Sequence, residues 1–181
     1  MIRSLAGTVS YHVPGGIILE VGGIGYLVAV PLRSTPLTGA SVTLFTHHHV
    51  REQDQSLYGF TTLAELVAFE QLLAVSGIGP KSALTVLSVA TPVELEKAID
   101  ADDVGFFAAV PGIGKKTAAK IIVELKGKLA STESLGSSEL RNALNSLGYN
   151  SRDVEPLLRT LPADLTDTQT QLRWLLKQFS K

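Results

Sequence analysis

The amino-acid sequence predicts a multidomain α+β protein with a small β-barrel first, an all-helical region next and a three-helix domain last. Three observations support this fold class. Short β-type runs divided by turn signals occupy the first third of the 181 residues. Helical periodicity replaces them at Thr62, and a polar stretch from residue 131 precedes three more apolar stripes. The predicted domains are residues 1–61, 62–130 and 138–181, with a linker at 131–137.

Composition limits the classes of protein that need to be considered. The hydrophobic content of 45% is that of a folded globular chain, and the absence of cysteine excludes a disulfide framework and a cysteine-type zinc site. The N-terminus lacks the apolar core of a signal peptide, and no run approaches the ~20 apolar residues of a membrane span. We therefore expect a cytoplasmic protein without membrane contact.

The barrel prediction for residues 1–61 rests on four β-type runs, which are IILEV, YLVAVPL, SVTLFTHHHV and SLYGF. The segments between them, PGG, GGIG, STPLTG and REQDQ, are turn formers. Turn signals thus recur about every 8 to 12 residues, a spacing typical of small antiparallel barrels.

Residues 62–130 carry the signals of successive helices. Thr62 and Glu65 form a capping box ahead of an apolar stripe. Thr91, Pro92 and Glu94 mark a second start with an N-cap, a first-position proline and a third-position acid. We expect this region to be entirely helical.

The last domain, residues 138–181, follows a short linker of small polar residues. Gly148 ends its first predicted helix and Pro162 follows the second. Thr166 and Gln169 form a capping-box signature at the start of the third. The predicted apolar stripes are Leu140, Ala143, Leu144 and Leu147; Val154, Leu157, Leu158 and Leu161; and Leu172, Leu175, Leu176 and Phe179. A domain of this size is near the lower limit for independent folding, and such small modules usually bind a partner.

The central region uses one phrase twice. SGIGPKSA at residues 76–83 returns 35 residues later as PGIGKKTA at 111–118. Glycines that are free to adopt positive φ allow one helix to end and another to begin at once. The unpaired N–H groups at the start of the second helix suit an anion, and lysine follows the glycines in both copies. We therefore interpret both phrases as sites for nucleic-acid phosphates.

The repeated phrase has two other interpretations. A compact turn between helices would account for one copy, but packing gives no reason to repeat the lysine at the same register. An ATP-binding loop would need glycine at position 109 and Ser or Thr at 116, where Ala109 and Lys116 stand. Charge alone does not decide, because the five lysines and one acid of residues 110–130, in a chain of net charge −1, suit either a positive face for DNA or an ordinary solvated helix.

The stretch HHHVREQDQSLYGF at residues 47–60 places Glu52 and Asp54 in a predicted β-turn. Three interpretations compete: a solvated turn, a metal-binding nuclease pair, and an acidic device that repels phosphates. The nuclease interpretation lacks a further acid nearby. The three histidines at 47–49 give little support to a metal site, since only the first and last share a face of a strand.

Two hairpins joined by a helix resemble the tandem helix-hairpin-helix unit of DNA repair proteins. Across nearly its whole length the chain resembles the RuvA family, the Holliday-junction-binding subunits of the bacterial branch-migration machinery. The resemblance rests on both hairpins and on MIRSLAGTV, EVGGIGY, VREQDQSLYGF, KTAAKIIVELKGK and LGY. It implies an OB-fold barrel, the tandem hairpins and a tethered UBA-like domain, assembled as a tetramer or as two facing tetramers on a four-way junction.

The resemblance also implies roles for particular residues. Glu52 and Asp54 would form an acidic pin at the junction centre, flanked by Arg51 on a phosphate. The family usually has adjacent acids, whereas Gln53 separates them here, so the residue that faces DNA stays open. The implied DNA-backbone residues are Gly77, Gly79, Lys81, Ser82, Gly112, Gly114, Lys115, Lys116, Thr117 and Lys120.

The last domain would recruit the RuvB motor ATPase through Leu147, Gly148 and Tyr149, with the RuvC resolvase in a larger complex. Core packing is an alternative role for Leu147 and Tyr149, since so small a domain needs its large apolar residues inside. We expect no catalytic residue, metal or cofactor in this chain. The alternative function is a general DNA-binding accessory subunit of a repair nuclease.

Overall fold

The computed structural model describes residues 1–128, the C-terminal helix Thr168–Phe179 and a few residues between them, which are Ala143, Leu144, Ser146, Leu147, Tyr149, Val154 and Leu157. The chain divides into two compact units, residues 1–131 and residues 132–181. No described helix is long and apolar enough to cross a membrane.

The first unit opens with a closed barrel, as the sequence predicts, but it has five strands, because residues 4–13 add a strand that is not among the four predicted runs. Its strands are β1 (Ser4–Val13), β2 (Gly16–Val21), β3 (Ile24–Ala29), β4 (Ser41–Val50) and β5 (Gln55–Phe60). They close in the order β1-β2-β3-β5-β4, with β4 returning to pair with β1. This closure makes β3 and β5 parallel neighbours through Val28↔Leu57, so the barrel is not wholly antiparallel. All other strand pairs are antiparallel.

Alternate residues of the strands fill the barrel interior. The side chains that are buried there are Leu5, Val9, Ile17, Leu19, Val28, Val30 and Leu44. A period of two directs successive side chains to opposite faces of a strand, so the intervening residues face outward. The barrel therefore has an apolar centre of its own.

Five helices follow: α1 (Leu63–Ala74), α2 (Pro80–Val89), α3 (Pro92–Asp100), α4 (Val104–Ala108) and α5 (Lys115–Leu125). Both predicted capping boxes form, with Thr62 at the start of α1 and Thr91 at the start of α3. The Glu65 carboxylate of the first box is buried and also pairs with Arg33 at 2.7 Å.

The barrel and the helices are packed into one unit through α1. The Phe69 ring lies 4.9 Å from that of Phe60 and 5.1 Å from that of Tyr58, both on β5. Beside it, Glu70 accepts hydrogen bonds from Arg3 and His47 of the barrel. Burial raises the pKa of Glu70, but these two donors outweigh burial and hold the pKa below its ordinary value. These contacts tie the N-terminal segment, β4 and β5 to α1.

In the second unit the C-terminal helix Thr168–Phe179 confirms the third predicted stripe. Its Leu175 is buried together with Leu144 and Val154, and the Phe179 ring lies 4.3 Å from that of Tyr149. Most of the first and second predicted helices, with Pro162 and Thr166, lies outside the described residues.

Candidate nucleic-acid interface

The first glycine phrase forms a tight hairpin between α1 and α2. The Val75 N–H donates to the Leu72 carbonyl at 3.1 Å as α1 ends, and the Ile78 N–H donates to the Val75 carbonyl at 3.1 Å. Gly77 adopts a φ of +95°, in the left-handed region that favours glycine. Ile78 points inward and is buried, so it anchors the turn to the core.

The second phrase repeats this geometry at the start of α5. Gly112 has a φ of +85°, and the Ile113 N–H donates to the Val110 carbonyl at 3.0 Å. Ile113 is buried like its counterpart. The prediction that both phrases lie at helix junctions is therefore confirmed.

The second glycine of each phrase departs from the expected conformation. Gly79 and Gly114 do not use the freedom of glycine to adopt positive φ. Both are N-caps in extended backbone, with φ of −96° and −83°. A Cβ on either would meet no atom of the chain within 4 Å. Neither backbone angle nor intramolecular space requires glycine here, whereas a group that approaches from outside would benefit from the missing Cβ.

The two helices that follow the hairpins start differently from their neighbours. Side chains cap α1, α3 and α4 through Thr62, Thr91 and Asp103. Helices α2 and α5 have no side-chain cap, since glycine carries no acceptor.

The uncapped helices leave backbone donors exposed ahead of their first intrahelical bonds. These bonds run from Ala83 N to Gly79 O and from Ala118 N to Gly114 O, at 3.0 and 2.9 Å. The N–H groups that precede them belong to Lys81, Ser82, Lys115, Lys116 and Thr117. Such groups, at the positive end of a helix dipole, form a site for an anion.

The lysines of the hairpins are exposed, and none forms an ion pair with another described residue. They are Lys81, Lys115, Lys116 and Lys120. Lys126 differs, because its Nζ contacts the Asp102 carboxylate at 2.6 Å. The basic segment, residues 110–130, therefore contains one lysine with an internal partner, and its Lys115, Lys116 and Lys120 can be reached by an external anion.

The two hairpins are neighbours in space. The Ser82 Oγ of the first lies 3.9 Å from the position that a Cβ on Gly112 of the second would take. Ser82 and Thr117 occupy equivalent positions and are both half-buried. Phosphates bound at the two helix starts would therefore belong to one stretch of nucleic acid.

The acidic loop, residues 51–54, joins β4 to β5 and is exposed throughout. The Arg51 N–H donates to the Asp54 carbonyl at 2.8 Å and closes the turn. The Ser56 Oγ donates to Asp54 Oδ2 at 2.9 Å, which draws that carboxylate toward β5. The Glu52 side chain has no hydrogen bond or ion pair to any described residue, and it stays available at the tip.

A groove of about 500 Å³ joins the acidic loop to the first hairpin. Asp54 lines one part of it and Lys81 another, with β3, β5 and α2 forming the walls. The acidic loop and the first hairpin therefore both border this groove.

Two contacts at the base of the acidic loop escaped the sequence analysis. Arg51 Nε donates to His49 Nε2 at 2.8 Å, and Ser56 holds Asp54 as described above. The period of two in β4 was the available signal, since continuing it one residue past the end of the strand at Val50 puts His49 and Arg51 on one face. His47 instead pairs with Glu70, and the described residues contain no cluster of three or more metal-ligating side chains.

In the second unit the predicted partner residues differ in exposure. The Leu147 side chain is 59% exposed, whereas Tyr149 is half-buried against Phe179. The Tyr149 N–H donates to the Leu144 carbonyl at 3.0 Å. Gly148 lies outside the described residues. Packing thus accounts for Tyr149 but not for Leu147.

Comparison with known proteins places these features in a family context. A model of the RuvA N terminal domain matches residues 1–59, and a model of a SAM-like helix-hairpin-helix tandem matches residues 69–128. Three relatives carry the name "Holliday junction branch migration complex subunit RuvA". The relative from Leptothrix cholodnii is 43% identical over 91% of this chain and 92% of its own. Those from Herpetosiphon aurantiacus and Dechloromonas aromatica are 42% and 41% identical, over 99% and 100% of this chain and 98% and 100% of theirs.

Proposed function

The chain belongs to the RuvA family, as its motifs predict, and from that premise we propose that it binds four-way DNA junctions as a homotetramer. It holds the junction open and square through sequence-independent contacts to the DNA backbone. The observation that carries this proposal is the pair of adjacent hairpins whose helix starts are uncapped and flanked by lysines that form no ion pair with the residues that the structure describes.

The hairpins would bind phosphates rather than bases. Backbone N–H groups and lysine ammonium groups at a helix start match phosphate oxygens, and contacts to phosphates carry no sequence information. Gly79 and Gly114 let the phosphates approach the helix starts closely. Binding should therefore be independent of DNA sequence and should weaken steeply with salt, because each contacted phosphate releases counterions.

The acidic loop would act by repulsion. Four copies at the centre of a tetramer would place the carboxylates of Glu52 and Asp54 around the crossover. Like charges at close range disfavour phosphates there, so the strands would be parted and guided toward the hairpins. Arg51 would take one phosphate at the edge of this region. The groove between Asp54 and Lys81 supports this arrangement, since it puts repulsion and attraction on one side.

The C-terminal domain, which we place at residues 138–181 after a linker at 131–137, would recruit the RuvB motor. Leu147, Gly148 and Tyr149 would form the contact, and the exposure of Leu147 makes it the best candidate of the three. The chain itself would have no catalytic role, because the motor would hydrolyse ATP and the helicase activity would belong to the complex. RuvC resolvase would join the same assembly.

Competition between a four-way junction and a linear duplex of equal length tests the proposal. The junction should bind more tightly at moderate salt, since its four arms can contact the hairpins of four subunits at once and a linear duplex cannot. Equal affinity for the two DNAs would instead favour a general accessory subunit of a repair nuclease.

Reversing the charge of Lys116 should weaken binding to junction and duplex alike. Lys116→Glu removes one phosphate contact, so we expect a loss of about tenfold and a salt slope that is shallower by about one unit. Lys126→Glu is the matched control, because Lys126 is already paired with Asp102 and should contribute little. Titrations over a series of salt concentrations measure both quantities, and a defect confined to the junction would contradict the backbone contact.

A further inference from the structure

His49 lies at the base of the acidic loop and contacts the loop's only cation. It is half-buried near the end of β4, opposite Ser56 of β5. Its Nε2 receives the hydrogen bond from Arg51 Nε at 2.8 Å. No role in the junction-binding function described above requires this histidine.

We propose that His49 is a positioning residue for Arg51, which accepts the Arg51 Nε–H bond and thereby directs the guanidinium toward a DNA phosphate at the crossover. This inference rests on the proposed function. It adds a residue that sets how firmly the acidic loop's cation is held.

The chemistry of the two side chains fixes the state of the imidazole. Arginine only donates, so His49 must present an unprotonated Nε2 and carry its single proton on Nδ1. Because Arg51 donates only its Nε–H to His49, its two terminal NH₂ groups stay available to an incoming phosphate. Because the guanidinium is already held, binding a phosphate costs less side-chain entropy than it would for a free arginine.

The surroundings of His49 keep the ring neutral near pH 7. Burial lowers the pKa of His49, and the positive charge of Arg51 and the ring of His47 lower it further, while the Asp54 carboxylate opposes them. Tyr58 and Ser56 are the polar groups of β5 on this side. From α1, Glu70 reaches His47 rather than His49.

Acid should therefore loosen Arg51. The accepting form of His49 exists above its lowered pKa and is lost as the pH falls through it. Protonation removes the acceptor and places a second positive charge next to the guanidinium. The contribution of Arg51 to junction binding is expected to be complete near neutral pH and to disappear in acid.

Two substitutions at His49 separate this role from a purely structural one. Gln can accept from Arg51 but does not titrate, whereas Phe fills the space without an acceptor. The dissociation constants of wild type, H49Q, H49F and R51Q would be measured for a four-way junction and a linear duplex, at about pH 7.5 and about pH 5, on either side of the ordinary histidine pKa of about 6.5.

We expect H49F to weaken junction binding about threefold to tenfold at neutral pH, the range of one net hydrogen bond, without changing duplex binding. H49Q should bind the junction like wild type at neutral pH and lose less affinity in acid. Adding H49F to R51Q should cause no further loss. H12Q, which alters a histidine bonded to the Pro36 carbonyl elsewhere on the barrel, is the control and should retain the full response to pH.

The inference is overturned if H49F binds the junction like wild type, or if H49Q keeps the wild-type response to pH. It is also overturned if R51Q has no effect, or if H49F and R51Q are additive. Should H49F melt at a lower temperature, the pH response of H49Q still decides. The proposed function fails separately, if the wild-type protein binds junction and duplex equally.

Discussion

Replacing both Gly79 and Gly114 with aspartate is expected to abolish DNA binding while leaving the fold at least as stable as before. Both positions have extended backbone angles that any residue adopts, and neither has an atom within 4 Å of a new Cβ. Aspartate is a preferred N-cap and lies at the positive end of the helix dipole. Because glycine is itself a tolerated N-cap, each new aspartate cap should stabilise its helix by only about a few tenths of a kcal/mol.

The same carboxylates would occupy the N–H groups that the DNA phosphates need and would repel those phosphates. With two sites lost, affinity for junction and duplex should fall by at least about 100-fold, since a charge-assisted hydrogen bond contributes about 1.5–3 kcal/mol. Binding titrations and thermal melting of the same samples measure the two effects.

Thr91→Asp is the matched control for this double variant. It puts the same carboxylate at the N-cap of α3, where a side chain already caps the helix. It should change neither stability nor binding appreciably. Gly77→Asp should behave in the opposite way and lose stability, because a φ of +95° disfavours any residue with a Cβ. Wild-type affinity in the stable double variant would refute phosphate binding at the helix starts.

Removing the charge of the acidic loop should have a large effect on branch migration and the reverse effect on affinity. Glu52→Gln with Asp54→Asn leaves the side-chain shapes nearly unchanged but removes two carboxylates that would repel the crossover phosphates. We expect the junction to bind as tightly as before, or about threefold more tightly, since exposed charges interact weakly in salt. Branch migration with the motor and ATP should be clearly altered.

The control for this pair is Glu96→Gln with Asp100→Asn, which removes the same charge from α3. It should leave branch migration at the wild-type rate. Markedly weaker junction binding by the acidic-loop variant would mean that its carboxylates attract the ligand, as in a metal-dependent nuclease. Cleavage of the junction in Mg²⁺ by the wild-type protein, lost in Glu52→Gln, would point the same way.

The parts of the fold that the sequence predicts correctly depend on local signals. Two helix starts are marked by pairs of residues within four positions of each other, Thr62 with Glu65 and Thr91 with Glu94. Both pairs form capping boxes in the structure. The glycine phrases mark helix junctions for the same reason. Four of the five strands, β2 to β5, follow from β-type runs and turn residues, which need no knowledge of distant contacts, whereas β1 is not among the predicted runs.

What the sequence does not reveal depends on contacts between distant segments. The parallel pairing of β3 with β5 is fixed by barrel closure, not by either strand alone. Lys126 belongs to the basic segment in sequence, yet Asp102 neutralises it in the fold. The extended angles of Gly79 and Gly114 are set by the helices that they cap, since glycine permits either sign of φ.

The central claim is that DNA phosphates bind at the uncapped starts of α2 and α5, and the backbone amides there report it most directly. NMR of the labelled protein with and without a four-way junction would follow the amides of Lys81, Ser82, Lys116 and Thr117. We expect all four to shift downfield on binding, as new hydrogen bonds form, while the capped amide of Glu94 stays unchanged. Unshifted amides at both helix starts, in a sample where the junction is bound, would contradict the claim.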